Sequence, residues 1–172
     1  KWYWESRRSD ANNSGGQKSL AVGIGKPATD IETTPYQTGT GDSLTYYSFG
    51  GTKRNGSSNT SYGDSWDAAG DIIGVAFDAD NGAIWFSKNG TWQASATASE
   101  IAAGTTTNAA FTGLTDSDGY VCLWWRTGGT TSTSFDINFG QNPSFGNQLT
   151  GGDIGTESGD GSALFKYPPP TG

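Results

Sequence analysis

Short apolar runs separated by turn residues fill the middle of the chain, a pattern typical of antiparallel β-strands. Apolar runs occupy residues 71–78 and 83–87, and a shorter one occupies residues 91–93. The intervening turns at 80–82 and 88–90 both contain Asn-Gly. Asn-Gly between apolar runs is the strongest short hairpin signal, because both residues of such a turn need a positive φ. The pattern therefore predicts a three-stranded antiparallel meander.

Weaker apolar patterns predict further strands on both sides of this meander. The additional strands are expected at residues 1–5, 20–24, 44–49, 120–125 and 135–139. One helical turn is expected at residues 98–103, and loops are expected at 50–65 and 127–133. The 172 residues suit a single domain that is large enough to bury its own core.

The composition extends this set of strands to a fold class. Only 33% of the residues are hydrophobic, whereas 13% are aromatic and 27 residues are glycine. Aliphatic helix formers are scarce, which argues against a helical bundle. Abundant Gly and Thr with many aromatic residues favour an all-β sandwich or barrel with at most one short helical turn. Met is absent, which predicts that the domain belongs to a longer protein.

The composition also excludes several kinds of site. The chain has no His and one cysteine, Cys122, so it offers no Ser-His-Asp triad, no Cys-His pair and no His-ligated zinc site. The net charge of -7 disfavours binding to the nucleic-acid backbone, which needs a basic surface. No run approaches the roughly 18 apolar residues of a membrane-spanning helix. We predict no cofactor, no metal, no nucleic-acid partner and no membrane insertion.

Clusters of acidic residues in two places are interpreted as turns. Residues 78–82 resemble the start of a calcium loop, but the twelfth position is Asn89 where an EF-hand needs Glu, and both flanks are predicted strands. Residues 116–119 have the composition of a turn. A glycosidase needs two carboxylates that face one sugar. No Glu-x-Asp-x-Glu strand motif is present, so we predict no catalytic residue.

Five segments, in order along the chain, resemble the motifs of SPRY domains. Residues 2–5 (WYWE) resemble the opening strand of that family, and residues 22–25 (VGIG) resemble its second strand. Three further segments are similar to family motifs: residues 71–78 (DIIGVAFD), residues 86–90 (FSKNG), and residues 138–141 (NFGQ) with Pro143 and Phe145. Together the five segments cover about residues 1–146.

This resemblance implies a bent antiparallel β-sandwich, lectin-like in outline, that binds a partner through variable loops at one edge and carries out no catalysis. Residues 164–172 also resemble the ending of SPRY domains in bacteriophage virion and tail proteins. We therefore expect one domain over residues 1–167, a Pro-rich exit over residues 168–172, and a virion or extracellular location.

The aromatic residues divide into candidates for the core and candidates for binding. Strand aromatics within the family motifs are expected in the sandwich core, together with Cys122, whereas aromatics in or beside loops have less reason to be buried. Trp124 and Trp125 are adjacent on one strand, so one is expected to point inward and the other outward. The expected core set is Trp2, Trp4, Phe77, Trp85, Phe86 and Phe139, and the aromatics in or beside loops are Tyr36, Tyr62, Trp66 and Trp92.

Exposed Trp, Tyr and Arg dominate binding hot spots, and flat rings also stack on sugars. The resemblance adds a Tyr of the long loop, similar to Tyr62, and a Trp of a late strand. The predicted ligand-binding residues are Arg54, Tyr62, Trp66, Trp124, Trp125 and Arg126. We predict a recognition module that binds a cell-surface glycan or protein through edge loops. A structural or assembly domain of a virion or fibre and a carbohydrate-active enzyme are the alternatives.

Overall fold

The computed structural model describes residues 1–9, 19–27, 43–114, 119–126, 134–145, 149, 156–157 and 163–170. Its strands are β1 Trp2–Arg8, β2 Leu20–Gly25, β3 Ser43–Tyr47, β4 Thr52–Asn55, β5 Ser58–Ser61, β6 Ile72–Asp78, β7 Ala83–Lys88, β8 Thr91–Trp92, β9 Phe111–Thr112, β10 Val121–Arg126, β11 Phe135–Asn138, β12 Thr156–Glu157 and β13 Leu164–Phe165. A five-residue helix, α1, spans Ala98–Ala102, and a 3-10 turn spans Phe49–Gly51.

Two antiparallel sheets form the domain. The six-stranded sheet has the order β11-β1-β6-β7-β8, with β9 also paired to β7. The five-stranded sheet has the order β10-β2-β3-β4-β5, and β12 pairs with β13 separately. The predicted all-β sandwich is therefore confirmed. The predicted helical turn is also confirmed, and it begins at Thr97, whose side chain forms a capping box with Glu100.

The core lies where the inner faces of the two sheets meet. Alternate residues of a strand point to opposite faces, so Leu20, Val22 and Ile24 of β2 all enter this core. Ile73 and Val75 of β6 enter it from the other sheet. A second, smaller cluster lies on the outer face of the six-stranded sheet; its buried members are Ala76, Ala83, Trp85, Ala96 and Ile101.

The predicted three-stranded meander is confirmed as β6-β7-β8, and its two turns differ. Asn89 and Gly90 have φ of 48° and 81°, as a two-residue type I′ turn requires. The β6–β7 connection is a four-residue turn between Asp78 and Ala83, in which only Gly82 has a positive φ. The Asp78 carboxylate accepts hydrogen bonds from the backbone and side-chain amides of Asn81 at 3.1 and 2.9 Å. These bonds hold Asn81 within the turn, and Asn81 does not adopt the positive φ that the Asn-Gly pattern predicts.

The predicted loop over residues 50–65 is wrong, because these residues include the hairpin of β4 and β5. The hairpin is polar and lies at the edge of its sheet, and every side chain of β5 is exposed. It therefore lacks the alternating apolar pattern that reveals a half-buried strand. The available signal was Gly56-Ser57: Gly56 has φ of 56° and occupies the first central position of a two-residue turn.

Some predicted features fall outside the described residues. They are Tyr36, the loop at 127–133 and residues 116–118 of the predicted turn at 116–119. In the part of the chain that is described, no helix has the length and apolarity needed to cross a membrane.

Candidate functional site

The predicted ligand-binding residues do not form one patch. Arg54 lies on β4 and Trp124 on β10, which is an edge strand of the same five-stranded sheet. Three strand spacings separate these two strands, a distance of roughly 14 Å. By the alternation of side chains, Trp124 shares the inner face with its register partner Val22, whereas Arg54 lies on the outer face.

Tyr62 contributes to the core side of the sandwich. Its ring meets those of Tyr46 and Phe86 nearly edge-on, at centroid distances of 5.5 and 6.0 Å. The Phe86 backbone N–H donates to the Tyr62 hydroxyl at 3.3 Å. Burial raises the pKa of Tyr62 to about 12, although this hydrogen bond opposes the rise. Tyr62 is half-buried, and these contacts hold its ring against the core.

Trp66 corrects the expectation that a loop aromatic remains accessible. Its exposed fraction is 0%, and its ring packs against Tyr46 and Phe135. The Trp66 backbone N–H donates to the Ser48 carbonyl at 3.2 Å, which draws the loop back onto the sandwich. A backbone contact between segments 18 residues apart has no signature in the local sequence. Trp66 is therefore a core residue.

The cations of β4 make local contacts. The Arg54 guanidinium lies 3.5 Å from the centre of the Tyr47 ring, within the range of a cation–π interaction. Lys53 donates to the Ala110 carbonyl at 2.6 Å and approaches the rings of Tyr62 and Phe111. Both cations thus engage rings of their own chain.

Trp124 is half-buried in the predicted late strand. Its indole N–H donates to the Ser6 hydroxyl at 2.6 Å, a bond between the two sheets. Trp125 and Arg126 continue the same strand, in register with Ala21 and Leu20. The side chains of Trp125 and Arg126 lie outside the described part of the structure, so their binding roles stay predictions.

Two aromatic residues that we expected in the core are exposed. Trp2 is 68% exposed and Phe139 is 56% exposed. Trp2 is the first residue of β1, and Phe139 follows the last residue of β11, so neighbouring strands cover neither side chain fully. The core expectation is correct for Trp4 and Phe86, and it is partly met for the half-buried Phe77 and Cys122, which pack against the core. Trp85 is buried, but it lies in the cluster on the outer face of the six-stranded sheet.

These exposed rings border half-buried ones along β10. Trp2 pairs in register with Phe77, and the Phe77 ring meets Tyr120 edge-on at 5.9 Å. The Phe139 ring meets Trp124 at 5.9 Å with an interplanar angle of 89°. Tyr120 immediately precedes β10, and Trp124 lies within it. We call the set Trp2, Phe77, Tyr120, Trp124 and Phe139 the β10 aromatic edge.

The chemistry available at this edge is apolar contact. Cys122 lies between Tyr120 and Trp124, and burial raises the pKa of its thiol, so the thiol is kept protonated and unreactive at neutral pH. Among the residues placed by the structure, no three Cys, Asp or Glu side chains cluster as a metal site would require. The described side chains of the edge are aromatic rings beside the half-buried Cys122.

Comparison with known proteins agrees with the sandwich and with the sequence motifs. No curated protein matches the chain. The family model described as "SPRY domain" matches residues 1–142, which include β1 to β11 and the whole β10 aromatic edge. SPRY domains are protein-interaction modules and generally non-catalytic. Because the match covers most of the chain, this protein belongs to the SPRY domain family.

Proposed function

We propose that this domain is a non-catalytic recognition module that binds its partner through the β10 aromatic edge. The observation that carries the proposal is the exposure of Trp2 and Phe139 in a fold that buries Trp4, Trp66 and Trp85. Interface hot spots are enriched in Trp and Tyr and sit within well-packed surroundings. The half-buried rings beside Trp2 and Phe139 provide such surroundings.

The rigidity of this edge favours binding. Phe77 is held against Tyr120 and Phe139 against Trp124 by ring–ring contacts, and Trp124 is also held by its hydrogen bond to Ser6. Aromatic side chains with few free rotations lose little conformational entropy when a partner covers them. A partner that covers Trp2 and Phe139 therefore gains apolar contact at a low ordering cost.

The proposed partner is a protein or glycan of a cell surface, and the proposed location is a virion or another extracellular assembly. Exposed flat rings suit both kinds of partner, since they pack on apolar side chains and stack on sugars. The resemblance of residues 164–172 to phage virion and tail proteins supports the location. Assembly with other chains of a virion or fibre uses the same apolar contacts and is one outcome of the test below.

Binding of the labelled domain to intact bacterial cells and to a glycan array tests this proposal. We expect saturable binding that Trp2→Ala and Phe139→Ala each weaken by about tenfold or more, the range of hot-spot residues. Because both side chains are largely exposed, these variants should keep the stability of the wild type.

Phe49→Ala is the matched control. Phe49 is 70% exposed and follows β3, at the end of the five-stranded sheet away from Tyr120. Binding that falls equally in Phe49→Ala and Trp2→Ala would contradict the assigned surface. An intact domain that binds neither cells nor glycans but associates with itself, in a manner lost in Trp2→Ala, would favour the assembly role.

A further inference from the structure

Residues 163–167 lie beyond the family match and pack back onto the outer face of the six-stranded sheet. Leu164 and Phe165 of this segment form the short strand β13, which pairs with β12. Phe165 is 4% exposed, whereas Leu164 is 37% exposed, and Leu164 also forms a parallel β-bridge with Gln141. Beyond Phe165 the backbone bends at Lys166 and Tyr167.

Glu5 binds the backbone of this segment. Its carboxylate is fully buried and accepts hydrogen bonds from the backbone N–H groups of Lys166 and Tyr167, both at 2.8 Å. One carboxylate oxygen serves each amide. Glu5 thus binds two successive backbone N–H groups, and this contact does not depend on which side chains stand at these positions.

A second set of hydrogen bonds holds the backbone of Leu164, two residues before Lys166. The Leu164 N–H donates to the Gly140 carbonyl at 2.8 Å, and the Asn138 side-chain amide donates to the Leu164 carbonyl at 2.8 Å. Both polar groups of one backbone residue are therefore satisfied by residues within the family match. The Leu164–Gly140 bond joins two backbones, as in β-strand addition, whereas Asn138 and Glu5 bind the backbone of the segment through their side chains.

Two side-chain sites give selectivity to the same surface. The Phe165 ring meets Tyr3 edge-on at 4.8 Å. The Tyr167 ring lies over Gly90, where an added Cβ would approach it to 2.6 Å. An added Cβ at Gly140 would likewise come within 3.2 Å of Phe165. Both glycines therefore leave room for the rings.

We infer that Tyr3, Glu5, Gly90, Asn138 and Gly140 form a groove for a peptide segment with aromatic residues two positions apart, which the chain's own residues 163–167 fill. We call this surface the segment groove. It shares no residue with the β10 aromatic edge and does not rest on the proposed function. A free peptide of the same chemistry is expected to enter the groove when the resident segment is weakened.

Competition by a synthetic peptide tests this inference on the full chain. The probe is a fluorescent peptide with the sequence of residues 163–170, ALFKYPPP. A tethered segment competes as if present at roughly millimolar concentration, so the wild-type chain should bind the probe weakly. The chain variant Phe165→Ala/Tyr167→Ala should bind it about tenfold or more tightly than the wild type does.

The peptide itself supplies matched controls. A probe carrying Phe165→Ala should lose about tenfold or more in affinity, because the buried ring fills a site. A probe carrying Leu164→Ala should bind within about twofold of the parent. The Leu164 side chain is partly exposed, and the residue makes its hydrogen bonds through its backbone.

Hydrogen exchange in the wild-type chain gives a readout that does not depend on the folding of any variant. Excess peptide should speed exchange at the Lys166 and Tyr167 amides by displacing them from Glu5. Unchanged exchange at millimolar peptide, together with no binding to a folded double variant, would overturn the inference. Equal affinity for the parent and Phe165→Ala probes would overturn it as well.

Discussion

Glu5 shows how a single residue is made compatible with the interior. A carboxylate withdrawn from water is costly unless hydrogen-bond donors replace the water. Two backbone amides, the Tyr3 hydroxyl and the Asn138 amide all reach the Glu5 oxygens. Burial raises the pKa of Glu5, and the hydrogen bonds from Lys166, Tyr167 and Asn138 offset part of the rise. Glu5 therefore ties the first strand to a segment near the end of the chain.

Glu5→Gln is expected to destabilise the domain by about 1–3 kcal/mol. The substituted amide nitrogen is a donor, and wherever it sits it faces a backbone N–H that needs an acceptor. The free energy of unfolding in urea measures the loss. Asp80→Asn is the control, because Asp80 is exposed and its change should stay within about 0.5 kcal/mol. Equal effects of the two substitutions would contradict the role of Glu5.

The raised pKa of Glu5 gives its stability contribution a definite pH dependence. The folded chain holds the proton to a higher pH than the unfolded chain, whose carboxyl has the ordinary pKa of 4.5. The contribution is therefore greatest below that value and is lost as the pH rises through the raised pKa.

The difference in unfolding free energy between wild type and Glu5→Gln should shrink as the pH rises from about 4 to about 8. Gln does not titrate, so the comparison isolates Glu5 from the other acids. A difference that grows with pH would mean that the hydrogen bonds outweigh burial.

At the scale of elements, close approach of strands matters as much as their apolar pattern. Gly23 lies in the centre of β2, between β10 and β3. An added Cβ at Gly23 would stand 2.0 Å from the Leu44 carbonyl oxygen and 2.9 Å from the Thr45 Cα. Both neighbours are backbone atoms of β3, which cannot move without loosening the strand pair.

Gly23→Ala is therefore expected to cost about 1–3 kcal/mol of stability by overpacking. Chemical denaturation followed by circular dichroism measures the effect. Gly113→Ala is a useful comparison, because Gly113 has φ of 75° but no atom within 4 Å of an added Cβ. The comparison separates backbone strain at Gly113 from steric conflict at Gly23. A stable Gly23→Ala variant would show that the sheet adjusts.

At the scale of the whole molecule, the packing of two sheets assigns each aromatic residue to the core or the surface. Trp66 and Trp2 have the same side chain and opposite environments, since one is fully buried and the other is mostly exposed. The strand pattern alone suggested the reverse, because Trp2 begins a strand and Trp66 lies in a connection. The position of each ring relative to the ends of the sheets determines whether it is buried or exposed.

Trp66→Ala should destabilise the domain by about 3–5 kcal/mol, as large cavities in a core do. Trp2→Ala should change the free energy of unfolding by less than about 1 kcal/mol, because most of its surface already contacts water. Thermal unfolding of the two variants beside wild type measures the contrast. Similar losses in both variants would contradict the assignment of Trp2 to the surface.

Much of the fold could be predicted because its signals are local. Short apolar runs between turn residues located β1, β2, β3, β6, β7, β8, β10 and β11, and Asn89-Gly90 specified a type I′ turn through its backbone preference. The capping box at Thr97 agrees with the predicted helical turn. The β4–β5 hairpin escaped prediction because an exposed edge strand needs no apolar face.

The binding surface was less predictable. The sequence identified Trp124 as a candidate. Of the other candidates, Tyr62 and Trp66 pack into the core, and the Arg54 guanidinium lies over the Tyr47 ring. Trp2 and Phe139 were missed, because their exposure depends on residues of other strands that end beside them. Phe139 carried one usable signal, the Gly140 that follows it, which has φ of 95° just beyond the end of β11.

The sequence by itself determined the all-β class, the meander, most strand positions and membership of a family of binding modules. These properties follow from apolar runs, turn preference and motif order, which are all written along the chain. Tertiary structure alone decided which rings are exposed, that Glu5 receives the backbone of residues 166–167, and that residues 163–167 fill a groove. Such properties depend on contacts between separate segments of the chain, from 18 positions apart for Trp66 and Ser48 to 162 for Glu5 and Tyr167, and no local pattern encodes them.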